Sequence, residues 1–168
     1  QSGAGQVIAI DPVAGRRRLA EQLGATTSLD PNGSGDVAKV VRELTGGAGA
    51  DVSIELSGAY PGLATAIRCT RMTGTVCSSG FYRGEARSVY FGREYHHNQL
   101  TMIVPHGCGG SGPARDYPRW DDNRALDAIL SMMRAGKMEV TAIVSPVVNM
   151  SEAVDIFRRM RDEADSIA

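Results

Sequence analysis

The chain has 168 residues, of which 42% are hydrophobic and 22% charged, and its formal net charge is −1. These values are typical of one globular domain with its own core, and they exclude a disordered chain. The longest basic run, 16–18, is too short for a nucleic-acid-binding patch, and the apolar stretches are too short to span a membrane. Three cysteines without a C-x-x-C motif predict reduced thiols and a cytoplasmic protein.

Short apolar strands alternate with amphipathic helices in the first part of the chain. The predicted strands are Val7–Ile10, Thr26–Leu29, Asp51–Leu56 and Thr75–Ser79. The predicted helices are Arg16–Leu23, a segment that Asp36 caps and that ends near Leu44, and Pro61–Arg71. Glycines follow the first two helices, as expected of helix stops.

The pattern is less regular after residue 80. We expect a strand at Leu100–Val104, a Gly- and Pro-rich loop over 107–118, and a helix that Asp121 or Asp122 caps. Residues 141–148 predict a short strand that Pro146 interrupts, and Ser151 is the expected cap of the last helix.

Alternating strands and helices with near-continuous apolar strands predict a parallel sheet covered on both faces. Ligands of such α/β sheets bind at the carboxyl ends of the strands. The chemistry is therefore expected just after Ile10, Leu56, Ser79 and Val104.

Asp11 ends the first predicted strand, where an acid in a dinucleotide-binding fold accepts hydrogen bonds from ribose hydroxyls. Its charge would repel a 2′-phosphate, which favours NAD over NADP. The alternative is a helix cap, since Asp-Pro also begins helices. Arg16, Arg17 and Arg18 favour tolerance of a 2′-phosphate, because arginine pairs with phosphate.

Small residues follow the next two strands of this predicted edge. Ser57 and Gly58 would let a ribose or adenine approach the backbone, or would form a plain turn. Ser79, Gly80 and Phe81 carry backbone groups that could bind a carboxamide. His106 follows the strand at Leu100–Val104 and either faces the ligand or is an ordinary loop histidine.

The chain carries no complete catalytic set. His96, His97 and Cys108 have no spacing typical of a metal site, so we predict no metal ligand here. Glu55, inside an apolar strand, predicts a structural partner, either backbone or a basic group. A P-loop, a Tyr-x-x-x-Lys pair and a Ser-centred nucleophile elbow are all missing from the sequence.

An ordered set of segments resembles the medium-chain, zinc-containing alcohol and polyol dehydrogenases. The segments are Val-Ile-Ala-Ile-Asp-Pro-Val-Ala-Gly-Arg from residue 7, Leu-Thr-Gly-Gly-Ala-Gly-Ala-Asp-Val-Ser-Ile-Glu-Leu-Ser-Gly from residue 44, Gly-Thr-Val-Cys-Ser-Ser-Gly-Phe from residue 74, His-His-Asn-Gln-Leu-Thr-Met-Ile from residue 96, and Tyr-Pro-Arg-Trp-Asp from residue 117. The similarity covers essentially the whole chain.

The resemblance implies a cofactor site and the fold that carries it. Asp11 would bind the adenosine ribose of NAD, with Pro12, Arg16 and Ser57 around the adenosine. Along the nicotinamide would lie Ser79, Gly80 and Phe81, with residues from Ile103 to Pro105 beyond them. Pro105 has no N–H for the carboxamide, so that contact would shift to His106 or be missing. The implied fold is a Rossmann-like, doubly wound parallel sheet.

The resemblance also implies what lies elsewhere in the parent protein. The family's first strand and glycine-rich turn have no match here, so residues 1–168 are expected to form a partial dinucleotide-binding domain, truncated at both ends, that lacks its first strand. Direct pairing of residues 6–10 with residues 51–56 is one way in which the sheet could close without that strand. The catalytic zinc would belong to a separate domain, with an alcohol or polyol as substrate. The family also implies a homodimer through Leu100–Val104.

Two other classes of function remain open on the sequence. One is a catalytically silent module that binds NAD or a partner protein, and it predicts a parent gene without zinc ligands. The other is a methyltransferase, which also places an acid after its second strand. A methyltransferase predicts a final antiparallel hairpin, and the helix predicted from Ser151 argues against it.

Overall fold

A computed structural model describes residues 3–33, 35–105 and 121–162. The chain divides into two compact units, one made of Gln1–Asn32 and Cys108–Ala168 and the other of Gly33–Gly107. The predicted loop 107–118 and His106 lie outside the described residues. Among the residues that are described, none of the helices combines the length and the apolar composition that crossing a membrane requires.

The first unit begins with a β-α-β arrangement. Strand β1 is Ile8–Ile10, helix α1 is Ala14–Gln22, and strand β2 is Thr27–Leu29. The two strands are parallel, with Ile8 opposite Thr27 and Ile10 opposite Leu29. The three predictions for this region are confirmed to within two residues at each boundary.

Two helices complete the described part of the first unit. Helix α4 is Asp122–Arg134, and the Asp121 carboxylate caps it by accepting the Arg124 N–H at 2.8 Å. Helix α5 is Ala153–Asp162. The cap predicted at Ser151 is wrong, because a 3₁₀ turn at Met150–Glu152 precedes α5 and begins after Asn149.

The strand predicted for residues 141–148 is also wrong. A 3₁₀ turn occupies Thr141–Ile143, and the residues after it are irregular. The Glu139 carboxylate accepts the Thr141 N–H at 2.6 Å, which fixes the start of this turn. Pro146 has no N–H for a strand ladder, so the β-branched residues around it do not form one.

The second unit is a three-stranded parallel sheet with helices between its strands. Its elements are α2 at Val37–Leu44, β3 at Ala50–Glu55, α3 at Tyr60–Cys69, β4 at Thr70–Ser78, a helical turn at Phe91–Tyr95, and β5 at Thr101–Ile103. The strand order is β3-β4-β5. In the described residues β1 pairs with β2 within the first unit, and β3 pairs with β4 within the second.

The core of the second unit lies between α3 and one face of this sheet. It consists of Leu63, Ile67, Val76 and Leu100, all buried. Successive strand residues point to opposite faces, so the neighbours of Val76 along β4 face away from this core. On that other face the side chains remain exposed, Val52 at 54% and Ile54 at 63%. Within the second unit, α3 therefore covers one face of the sheet.

Candidate functional site

The carboxyl ends of β1 and β2 bring two aspartates to one edge. The Asp11 N–H donates to the Leu29 carbonyl at 3.2 Å, which extends the ladder beyond β1. One Asp11 carboxylate oxygen accepts the Val13 N–H at 2.7 Å, and the other lies 3.9 Å from Arg16 Nη1. Asp11 therefore stabilises the turn into α1, and its half-buried carboxylate also faces a basic group.

Arg17 joins the two strand ends. Its Nη1 donates to the carbonyls of Asp11 at 2.7 Å and Pro12 at 2.9 Å, and it lies 3.2 Å from an Asp30 carboxylate oxygen. Sequence analysis did not single out Asp30. The position of Asp30 directly after β2, equivalent to that of Asp11 after β1, is the feature that could have identified it.

A second edge lies at the carboxyl ends of β3, β4 and β5. The register sets Glu55 opposite Ser78 and Cys77 opposite Ile103, so the three parallel strands end at nearly the same level. The predicted residues that follow them are brought to this edge. Those that are exposed are Ser57, Ser79, Phe81 and Ile103, whereas Gly58 and Gly80 are half-buried.

Two glycines hold the turns of this edge against each other. Gly58 has φ +67°, and a Cβ on it would lie 2.7 Å from the Phe81 carbonyl oxygen. A Cβ on Gly80 would lie 2.3 Å from the Gly58 nitrogen. Both distances are shorter than van der Waals contact, so only glycine fits at these two positions. The structure thus explains Gly58 by close approach of the protein's own backbone.

Glu55 connects both turns from a buried position, with 5% of its surface exposed. One carboxylate oxygen accepts the Ser57 N–H at 2.8 Å and the Ser57 hydroxyl. The other accepts the Gly58 N–H at 3.3 Å and the Tyr82 hydroxyl. The predicted backbone partner is confirmed, and hydroxyls rather than a basic group complete the set. We call this set of four residues the Glu55 cluster: Glu55, Ser57, Gly58 and Tyr82.

The Glu55 cluster extends to the turn after β4 as well. The Glu55 carbonyl accepts the N–H groups of Ser79 at 2.9 Å and Gly80 at 3.1 Å. Burial, followed by the hydrogen bond to Glu55, raises the pKa of Tyr82 from its ordinary value to about 12. Tyr82 was missed by sequence analysis, because nothing local marks a tyrosine that reaches a carboxylate 27 positions earlier.

Each unit carries candidate ligand-binding groups at the carboxyl ends of its own strands. The first has the half-buried Asp11 carboxylate. The second has exposed apolar side chains, with Phe81 at 82% and Ile103 at 46%. His106 lies outside the described residues. Pro105, two residues after β5, is exposed and has no N–H to donate.

The described ranges contain no group of three or more His, Cys, Asp or Glu side chains that could hold a metal ion. His96 and His97 are exposed and contact each other edge to face, with ring centroids 5.5 Å apart. Cys108 lies outside those ranges. We therefore assign no zinc ligand to the described residues.

Parallel strands with helices between them define a Rossmann-like α/β fold. Solved structures agree with this class. 2R,3R-butanediol dehydrogenase from Bacillus subtilis has a TM-score of 0.77 at 22% identity over 99% of this chain and 43% of that one. An alcohol dehydrogenase from Thermus sp. ATN1 has a TM-score of 0.75 at 22% identity, covering 98% and 44%.

Sequence relatives narrow the class to a family. D-guloside 3-dehydrogenase of Escherichia coli strain K12 is 33% identical over 97% of this chain and 46% of its own length. Geraniol dehydrogenase of Castellaniella defragrans is 33% identical over 85% of this chain and 35% of its own. The zinc-binding dehydrogenase family profile matches residues 1–119. The chain belongs to the zinc-binding dehydrogenase family, and it spans less than half the length of these relatives.

Proposed function

We propose that this chain is the cofactor-binding portion of a zinc-dependent alcohol or polyol dehydrogenase that transfers hydride to NAD. Family membership and two relatives, named D-guloside 3-dehydrogenase and geraniol dehydrogenase, support this proposal. The observation that carries it is the half-buried Asp11 carboxylate at the carboxyl end of β1. Ligands of parallel α/β sheets bind at such strand ends.

We assign the cofactor two groups of residues. Around the adenosine we place Asp11, Pro12, Arg16, Ser57 and Gly58. Along the nicotinamide we place Ser79, Gly80, Phe81, Ile103 and His106. The Asp11 carboxylate would accept hydrogen bonds from the ribose diol and repel a 2′-phosphate, which favours NAD over NADP. Arg17 supports the same preference, because its Nη1 already contacts Asp30 and two backbone carbonyls.

Zinc enters the proposal only through the parent protein. A bound zinc ion there would polarise the alcohol oxygen while NAD accepts the hydride. The described residues supply no ligand set, so no catalytic residue is assigned to this chain. Its own task is to bind and orient the cofactor.

We further propose a homodimer through Leu100–Val104. β5 lies at the end of the strand order β3-β4-β5, with β4 as its partner, and Val104 just beyond it is 67% exposed. An apolar edge strand of this kind favours pairing with a second copy. We place the protein in the cytoplasm, since the described cysteines, Cys69 and Cys77, are free thiols.

Isothermal titration of the chain with NAD and NADP tests the cofactor assignment. The variants are Asp11→Asn, which retains an acceptor for the Val13 N–H, and Asp11→Ala, which removes it. The control is Asp51→Ala, an exposed acid at the opposite end of a strand. We expect tighter binding of NAD than of NADP, and about a tenfold or greater loss of NAD affinity in Asp11→Asn, because hydrogen bonds to charged groups contribute about 1.5–3 kcal/mol.

Two results would contradict this assignment. Tighter binding of NADP than of NAD would show that the arginines of α1 decide the preference rather than Asp11. If Asp11→Asn binds NAD with wild-type affinity, the Asp11 carboxylate does not bind the ribose. NAD binding together with a parent gene that encodes no zinc ligands would instead favour the catalytically silent module.

A further inference from the structure

The Glu55 cluster is placed at the ligand edge of its sheet and not in the centre of the core. Glu55 is the last residue of β3, and its carboxylate accepts four hydrogen bonds, two from N–H groups and two from hydroxyls. The donors come from two separate turns, one after β3 and one after β4. Glu55 therefore fixes the position of one turn relative to the other.

We propose that Glu55, acting with Tyr82, is a positioning residue that holds the Ser57–Gly58 turn in register with the Ser79–Phe81 turn and so pre-organises the cofactor site. The inference rests on the proposed function, which assigns the first turn to the adenosine side and the second to the nicotinamide side. It adds that the spacing between the two turns is set by a buried carboxylate.

The energetics of burial support a role beyond filling space. A carboxylate that is 5% exposed costs free energy unless hydrogen bonds compensate it, and an apolar side chain would satisfy the packing without that cost. The hydrogen bonds are also directional, because each carboxylate oxygen of Glu55 accepts from different donors. Such directed bonds define a geometry, whereas apolar contacts mainly fill volume.

The glycine contacts show how little freedom the two turns have. A Cβ on Gly80 would lie 2.3 Å from the Gly58 nitrogen, so the backbones of the two turns are in direct contact. The Ser79 and Gly80 N–H groups also donate to the Glu55 carbonyl. Tyr82 is the remaining link, because its hydroxyl reaches Glu55 from beyond Phe81 while its ring lies 5.3 Å from that of Tyr60.

A ligand that contacts both turns depends on their spacing more than a ligand that contacts one. NAD extends from the adenosine side to the nicotinamide side, whereas ADP-ribose carries no nicotinamide ring. Loosening the register should therefore weaken NAD binding selectively, since pre-organised contacts cost less ordering entropy when the ligand binds. A residue that serves only the fold would affect both ligands equally.

The experiment compares NAD and ADP-ribose titrations of the wild-type chain with those of Tyr82→Phe and Glu55→Gln. Tyr82→Phe removes one hydroxyl and retains the ring, so it is expected to fold; Glu55→Gln is checked for folding by circular dichroism. Tyr90→Phe, at a tyrosine that is 58% exposed, is the matched control. We expect about a fivefold loss of NAD affinity in Tyr82→Phe, since one hydrogen bond contributes about 1 kcal/mol, and a larger loss in Glu55→Gln.

ADP-ribose affinity should change by less than about twofold in Tyr82→Phe, well below the change expected from one hydrogen bond. Equal losses for NAD and ADP-ribose would overturn the positioning role and leave a structural one. Unchanged NAD affinity in Tyr82→Phe would overturn it as well. If the wild-type chain binds neither ligand, both the proposed function and this inference are overturned. The results that overturn only the positioning role are seen in the variants, so the two cases can be told apart.

Discussion

Among single residues, Gly58 and Gly80 approach each other so closely that a Cβ on Gly80 would lie 2.3 Å from the Gly58 nitrogen. A Cβ on Gly80 would collide with the backbone N and Cα of Gly58, and a Cβ on Gly58 would collide with the backbone of Phe81. These backbone atoms cannot rotate away. The contact explains why both turns after the strands contain glycine. Glycine is needed here for close backbone approach, independently of any ligand.

Gly80→Ala should therefore destabilise the protein. We expect the free energy of unfolding to fall by about 1–3 kcal/mol, the usual cost of overpacking. Gly92→Ala is the matched control, because a Cβ on Gly92 meets no atom within 4 Å; it should change stability by less than about 0.5 kcal/mol. Urea unfolding measures both, and equal effects would show that the two turns separate easily.

At the scale of secondary-structure elements, Asp36 stabilises α2 and ties it to its neighbours. Its side chain accepts the Ala38 N–H at 3.0 Å, and it forms an ion pair with Arg68 of α3. Arg68 Nε also lies 3.5 Å from Glu94 in the helical turn at Phe91–Tyr95. The hydrogen bond from Arg68 lowers the pKa of Asp36 below its ordinary value, and the cap adds to this effect.

Two substitutions distinguish the contribution of the cap from that of the charge. Asp36→Asn keeps a good cap but removes the charge, whereas Asp36→Ala removes both. Losing the cap in Asp36→Ala should lower the free energy of unfolding by about 1 kcal/mol. The ion pair contributes less than about 1 kcal/mol, because it is partly exposed and screened by solvent. A native pKa below the unfolded one means that this contribution is present above about pH 4 and is lost as the pH falls further.

The measurement is the free energy of unfolding of wild type and Asp36→Asn between pH 7 and pH 3. We expect the difference between them to shrink at the acid end of this range. A difference that stays constant with pH would show that the Asp36–Arg68 pair contributes nothing measurable, and the cap would then explain the whole effect of Asp36→Ala.

For the molecule as a whole, the proposed homodimer makes β5 its interface strand. Light scattering after size exclusion should show a dimer, and Val104→Asp should shift it to a monomer, because a charge beside an apolar edge opposes pairing. Val147→Asp, at a valine that is 84% exposed in the other unit, is the control. A wild-type monomer at high concentration, or a dimer that Val104→Asp leaves intact, would contradict the proposed interface.

Elements that depend on local patterns are the ones that the sequence predicts best. After Asp36, the apolar residues Val37, Val40, Val41 and Leu44 recur at i, i+3, i+4 and i+7. This spacing predicts α2, and the helix and its cap are confirmed because both depend on residues within a few positions of each other. The prediction is wrong at residues 141–148, where β-branched composition suggests a strand. A strand needs a partner, and composition alone cannot show whether one is present.

The alternation of strands and helices, the acids and glycines after the strands, and the family could all be read from the amino-acid sequence, because they depend on local order and motif spacing. Which of these residues contact each other becomes visible only in the folded chain. Glu55 reaches Tyr82, Gly58 touches Gly80, and Arg17 joins Asp11 to Asp30. These contacts depend on strand register and on how the turns pack, so residues far apart in the chain become neighbours only after the sheet has formed.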